Sequence, residues 1–244
     1  MGNRKQVNCV GRDSSVAARR RAIRLRAVKL TSAVAAAFLA VCVFTVTASA
    51  KVENSHHDFS RDGYSGGEMC ILCHVPHNAS TTALDAPLWN HALSVASYTP
   101  YSSPTLDATV GQPSGRSKLC LSCHDGTVAL DSFGSRTGTT YATFGNLGTN
   151  LNHTHPISFT YDTTLANTDK KLRDPATAPS GLGGTIATDL LRSGQLECTS
   201  CHDVHVARNT AGCVGCHTSS STVKTLSLWK SNDASALCLT CHNM

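Results

Sequence analysis

The pattern Cys-x-x-Cys-His occurs five times in this chain of 244 residues, as Cys70/Cys73/His74, Cys120/Cys123/His124, Cys198/Cys201/His202, Cys213/Cys216/His217 and Cys238/Cys241/His242. Two thiols three residues apart can add to the two vinyl groups of a haem. A histidine directly after the second thiol is then brought under the iron as an axial ligand. Paired cysteines of this spacing also form half of a zinc ribbon, or a redox dithiol. Neither of those needs the histidine, which would have to follow by accident five times. The spacing therefore predicts five covalently bound haems c, with the ten cysteines as attachment points and the five histidines as proximal ligands.

The first fifty residues read as an export signal, which places that chemistry outside the cytoplasm. Nine Lys or Arg lie between Arg4 and Lys29, an apolar run follows from Val34 to Val46, and Ala48-Ser49-Ala50 supplies small residues for cleavage before Lys51. The thirteen apolar residues of 34–46 fall short of a comfortable membrane span. Retained as an anchor, Leu30 to Ala50 could just cross. Arg19-Arg20-Arg21 superficially resembles a twin-arginine signal, but haem is attached to an unfolded exported chain. Cys9 and Cys42 fall within the signal, so the motifs consume all ten cysteines of the mature chain.

Residues 51–244 carry 12 basic and 15 acidic side chains, a formal charge of 12 − 15 = −3, whereas the whole chain is at +5. An acidic mature surface argues against a nucleic-acid partner. The same segment is poor in large apolar residues and rich in Ser, Thr, Gly and Asn, so it would struggle to offset its own ordering entropy. Apolar haem faces would then replace a hydrophobic core. The expected fold class is mostly irregular coil with short α-helices at the motifs and a few short strands, packed around haem. Haem-free chain is expected not to fold. Thr139 to Phe144 and Ile157 to Tyr161 have the β-branched and aromatic character of short strands. The segments 174–184 and 218–222 read as exposed loops.

Two diverged halves are legible, at about 51–130 and 190–244. Each begins with a motif bearing a second histidine three residues after the first, His77 in one and His205 in the other. Each continues with a motif preceded by Leu, at Leu119 and Leu237. The motif at 213–217 stands outside this plan, as though inserted, and its haem is the one that the plan does not require. On a helix, residues three apart share a face and lie roughly 5 to 6 Å apart. The sixth ligand of an iron lies across the porphyrin, so His77 and His205 must each serve a different haem from their neighbour, forcing two haems close together. His153 and His155 share one face if their segment is extended, with His155, fixed by Pro156, the first choice as a ligand. His91 follows Trp89-Asn90 in a predicted helix and is a ligand or a packed core residue. His56 and His57 lie on a short arm that could fold back, dangle or reach a neighbouring molecule. Methionine is confined to Met69, abutting the first motif, and Met244 in the mature chain. Histidine on both sides of each iron is therefore expected, which favours low potentials.

Cys70 through Asn78, Ala86 through Leu93, Tyr98 through Gly115, Leu119 through Ala129, His153 through Phe159 and the final Leu237 through Asn243 resemble, in order as well as in motif, a family of extracellular multihaem cytochromes of metal-reducing bacteria. Closest is the tetrahaem outer-membrane cytochrome E type. The resemblance implies bis-histidine haems in stacked and T-shaped pairs, and subunits that polymerise into filaments with a continuous haem chain. It also implies an N-terminal histidine, His57 by position, that ligates a haem of the adjacent subunit. The fifth motif departs from that pattern. The expected function is electron transfer during extracellular respiration, with self-association, other multihaem cytochromes and metal oxides as partners. A soluble periplasmic shuttle is the alternative. An enzyme such as a multihaem nitrite reductase needs an open iron; no Cys-x-x-Cys-Lys motif is present, and the histidines are numerous enough to close every site. A membrane-anchored quinol oxidoreductase would require the signal to be retained.

Overall fold

Turn-forming residues interrupt this sequence too often for long elements to propagate, and the backbone follows that composition. The computed structural model describes residues 52–53, 55–83, 86–205, 228–230 and 232–243, which belong to a unit spanning Ala50–Met244. The fourth motif, with Cys213, Cys216 and His217, and the loop at 218–222 lie outside the described residues. Among those described, the chain is mostly coil with four short α-helices, α1 (Gly115–His124), α2 (Thr163–Asp169), α3 (Ile186–Asp189) and α4 (Cys238–Cys241). Short 3-10 turns at Phe59–Arg61, Cys198–Ser200 and Asp233–Ser235 accompany them. Two strands, β1 (Phe159–Thr160) and β2 (Gln195–Leu196), pair antiparallel, with Phe159 opposite Leu196. No helix of the described residues is long and apolar enough to cross a membrane.

Two of the helices have a local reason to start. Asp162 accepts the Leu165 N–H at 2.8 Å to cap α2, and α3 opens with a Thr185/Thr188 capping box. For α1 the cap is remote. Ser114 makes no side-chain cap bond, and the Ser117 N–H instead donates to Glu197 Oε2 at 2.6 Å, a carboxylate eighty residues away placed at the positive end of the helix. Gly115 permits that approach: at φ +51° it has no Cβ, and one would collide with the Glu197 carboxylate.

Among the described residues, apolar packing is divided among three clusters. The largest joins Phe159, Tyr161, Ala166, Ile186, Leu190, Leu191 and Leu196 around the β1–β2 ribbon, α2 and α3. Smaller ones unite Ala83, Trp89 and Leu119, and Tyr98, Leu121 and Leu151, so α1 contributes to both.

Several local expectations are corrected. Thr139 to Phe144 is not a strand, because the Asp131 carboxylate takes the Thr139 and Thr140 N–H groups at 2.9 and 2.8 Å. His91 is not helical: Leu88 has φ +57°, which an L-residue helix does not tolerate, and His91 instead bridges Phe133 antiparallel. Leu151 to Thr154 is a turn, not an extended segment, so His153 and His155 do not share a strand face. The 174–184 segment, by contrast, is the expected exposed loop, anchored at two points where Pro175 and Ser180 are fully buried.

Candidate haem-binding site

Four of the five motifs are described, and in three of them the histidine N–H closes a tight turn onto the carbonyl of the first cysteine. These bonds are His74 to Cys70 at 2.8 Å, His202 to Cys198 at 3.0 Å and His242 to Cys238 at 3.0 Å. The 120–124 motif forms the C-terminal half of α1. Such a turn gathers two thiols and an imidazole into a span of five residues.

Three motif histidines each face a histidine from elsewhere in the chain. Ring centroids are 6.1 Å apart for His74 and His205, 5.9 Å for His124 and His57, and 6.3 Å for His242 and His155. A metal–imidazole bond is about 2 Å long, and with half a ring added on each side, two imidazoles across one metal have centroids roughly 6 Å apart. Each pair joins one motif histidine to one of the spare histidines. Among the described residues no three His, Cys, Asp or Glu side chains converge as a metal-ion site would need. Two protein ligands are what an iron already held by four porphyrin nitrogens requires.

Hydrogen bonds select the ring nitrogen left for a metal. His74 Nδ1 lies 2.8 Å from the Pro87 carbonyl, His124 Nδ1 2.8 Å from that of Gly145, and His155 Nδ1 2.8 Å from that of Pro156. A carbonyl only accepts, so Nδ1 carries the proton and Nε2 keeps its lone pair, the arrangement that orients metal-bound histidine. Gly145, at φ +67°, brings its carbonyl this close because a Cβ there would stand 3.2 Å from His124 Nδ1. Burial lowers the pKa of His57 to about 4, with His124, His56, His202 and His205 adding in the same direction. Burial, then His155, also lowers that of His242, against a smaller opposing effect of Asp169. Both rings are thereby kept in the neutral form that binds metal.

Two further features fit haem. Trp89 is nearly buried, and its Nε1 has no acceptor among the described residues, although the ring stands edge-on to His74 at 6.5 Å. A buried donor without a partner is costly, and a propionate-bearing group at this site would satisfy it. Cysteines of two motifs also adjoin. Cys120 donates a side-chain hydrogen bond to Cys198, which raises the first thiol's pKa well above its ordinary value and lowers the second's. The Cys198 N–H donates to Ser117 Oγ at 3.0 Å, joining α1 to the 3-10 turn that carries the third motif. Beside His155, a shallow surface depression is lined by Tyr101, Val110, Leu151 and Ile157.

The remaining expected site residues are placed differently. His77 and His153 are exposed. His91 is 3% exposed, with Nδ1 facing the Ala92 carbonyl at 2.8 Å and Nε2 facing that of Ala129 at 3.0 Å; Nε2 is also 3.5 Å from Cys123 Sγ. A neutral ring can donate to only one of these carbonyls. His202 bridges Leu228. The expected attachment points Cys213 and Cys216, and the expected ligand His217, lie outside the described residues. His57, which the resemblance assigns to a neighbouring subunit, faces His124 of its own chain. Sequence spacing missed Trp89 and the carbonyls of Pro87, Gly145 and Pro156, since main-chain acceptors leave no signature in residue type. No protein-family model matches the chain, and no curated protein does.

Proposed function

We propose that residues 51–244 form a multihaem c-type electron carrier. The cysteine pairs attach haem, the following histidines ligate iron on one side, and His205, His57 and His155 close the other side at the first, second and last motifs. The observation that carries the reading is the set of three histidine pairs at 5.9 to 6.3 Å, each joining a motif histidine to a spare one. Haem bound there supplies reversible one-electron exchange. The chain's own part would be to orient His74, His124 and His155 with Nδ1 protonated and Nε2 available, to keep His57 and His242 neutral, and to supply a second histidine at the first, second and last motifs, leaving substrate no open site there.

The resemblance adds a setting, extracellular respiration through a filament of subunits, with self-association, other multihaem cytochromes and metal oxides as partners. The placement of His57 against His124 of the same chain favours a second reading, a soluble periplasmic shuttle whose subunit needs no neighbour at that iron. Intact mass of the secreted protein counts the attached haems, and electron paramagnetic resonance of the ferric form reports ligation. Haem at every motif, the Cys213/Cys216 pair included, with low-spin signals is expected. An unmodified chain, or one carrying zinc, would defeat the proposal. Cryo-electron microscopy of the same material separates filaments from discrete particles.

A further inference from the structure

Three of the four described motifs are gripped in the same way by a residue outside them. Asn90 donates its main-chain N–H to the Cys73 carbonyl at 2.9 Å and its side-chain Nδ2 to the Ile71 carbonyl at 2.5 Å. Trp229 donates its N–H to the Cys201 carbonyl at 3.1 Å and its indole Nε1 to the Thr199 carbonyl at 2.7 Å. Arg173 donates its N–H to the Cys241 carbonyl at 2.8 Å and its Nε to the Leu239 carbonyl at 3.0 Å. In each case the residue before the donor, Trp89, Leu228 or Leu172, bridges the motif histidine antiparallel. In the first and last motifs the residue after the histidine closes the next rung, Val75 N–H to the Leu88 carbonyl at 2.9 Å and Asn243 N–H to the Lys171 carbonyl at 2.6 Å. The 120–124 motif is held by its helix and by the Leu147 N–H, which donates to the His124 carbonyl at 2.6 Å.

An amide, a guanidinium and an indole share little except a planar N–H donor. Their common target is the carbonyl of the residue directly after the first cysteine, so the position requires a donor and tolerates any side chain that supplies one. We infer that Asn90, Trp229 and Arg173 are positioning residues of the haem sites, each locking its Cys-x-x-Cys-His turn so that the histidine keeps a fixed place relative to the two attachment points. This inference rests on the haem reading above. A turn tethered to one group at two sulfurs and one nitrogen transmits any slack at its carbonyls to the axial bond. Outer partners of metal-bound histidine are worth about 10- to 100-fold in binding.

The test uses the full holoprotein. Asn90→Ala, Trp229→Phe and Arg173→Met each remove a side-chain donor, and Arg173→Lys restores one. Intact mass first establishes the haem count; absence of haem from the wild type would defeat the underlying proposal and not the positioning role. Where haem is present, each donor-deleting variant is expected to show one haem whose low-spin to high-spin transition on acidification occurs at higher pH, and whose reduced form binds carbon monoxide about tenfold faster or more. Arg173→Lys should return both readouts toward wild type. The inference is overturned if the variants melt at lower temperature while keeping the wild-type acid transition and carbon monoxide rates, or if Arg173→Lys fails to recover what Arg173→Met loses. Should a deleted donor reduce the haem count itself, recovery of that count by Arg173→Lys supports the role and its absence overturns it.

Discussion

Asp125 follows His124 directly, and its carboxylate is enclosed by donors. Ser94 Oγ and Tyr98 OH donate to Oδ2, both at 2.5 Å, while the Thr127 N–H and hydroxyl donate to Oδ1 at 2.7 and 2.8 Å. Burial pushes its pKa up, but these bonds outweigh burial and hold it below the usual carboxylate range. Burial and the bond to Asp125 in turn raise the Tyr98 pKa to about 12. An amide in place of Asp125 must present an N–H where only acceptance is required. Asp125→Asn is therefore expected to destabilise the holoprotein by about 1 to 3 kcal/mol, measured by denaturant unfolding, and an unchanged midpoint would contradict it. At this scale the motif cysteines and histidines are legible in the sequence, because the covalent attachment proposed for them demands fixed residue types at fixed spacing. Asn90, Arg173 and Trp229 are not legible, because three different side chains do one job on a main-chain carbonyl. Spacing identifies His205 as a ligand candidate, and the proline after it singles out His155, but the pairing of each with a particular motif requires the fold.

Among the elements, α3 and the loop before it depend on one carboxylate. Asp189 accepts the Ser180 hydroxyl and the Gly184 N–H, the latter at 2.8 Å. These two bonds, with the Ser180 hydroxyl contributing most, lower its pKa. For a carboxylate with a depressed folded pKa, the stabilisation is fully present above the ordinary value, near 3.9, and is lost as pH falls through the folded one. Melting temperature should therefore fall more steeply below about pH 4 in the wild type than in Asp189→Asn. Parallel curves for the two proteins would refute the assignment. Composition gives the coil-rich class and the scarcity of strands. It does not give the elements themselves, since Asp131 removes Thr139 and Thr140 from any ladder and a left-handed Leu88 stops a helix before His91. Both effects belong to single side chains or dihedrals that periodicity does not register. The remote cap of α1 by Glu197 is likewise a tertiary fact, invisible within a local window.

For the whole molecule, His57 decides whether a lone subunit is complete at its second motif. Facing His124 at 5.9 Å, it should ligate within the chain. The ferric low-spin share is then expected to stay constant as the holoprotein is diluted, and His57→Ala should leave one haem high-spin at every concentration. A low-spin share that rises with concentration would mean that a neighbour supplies the ligand. The grips on the motifs also carry a chronology. Asn90 is translated 16 residues after His74 (90 − 74), and Trp229 27 residues after His202 (229 − 202), so both turns emerge from the ribosome before their clasps exist. Arg173 precedes Cys238 by 65 residues (238 − 173) and is already waiting when the last motif appears. In the order of synthesis the first and third turns precede their clasps, whereas the turn at Cys238 to His242 follows its own, so only that turn can be clasped as soon as it forms.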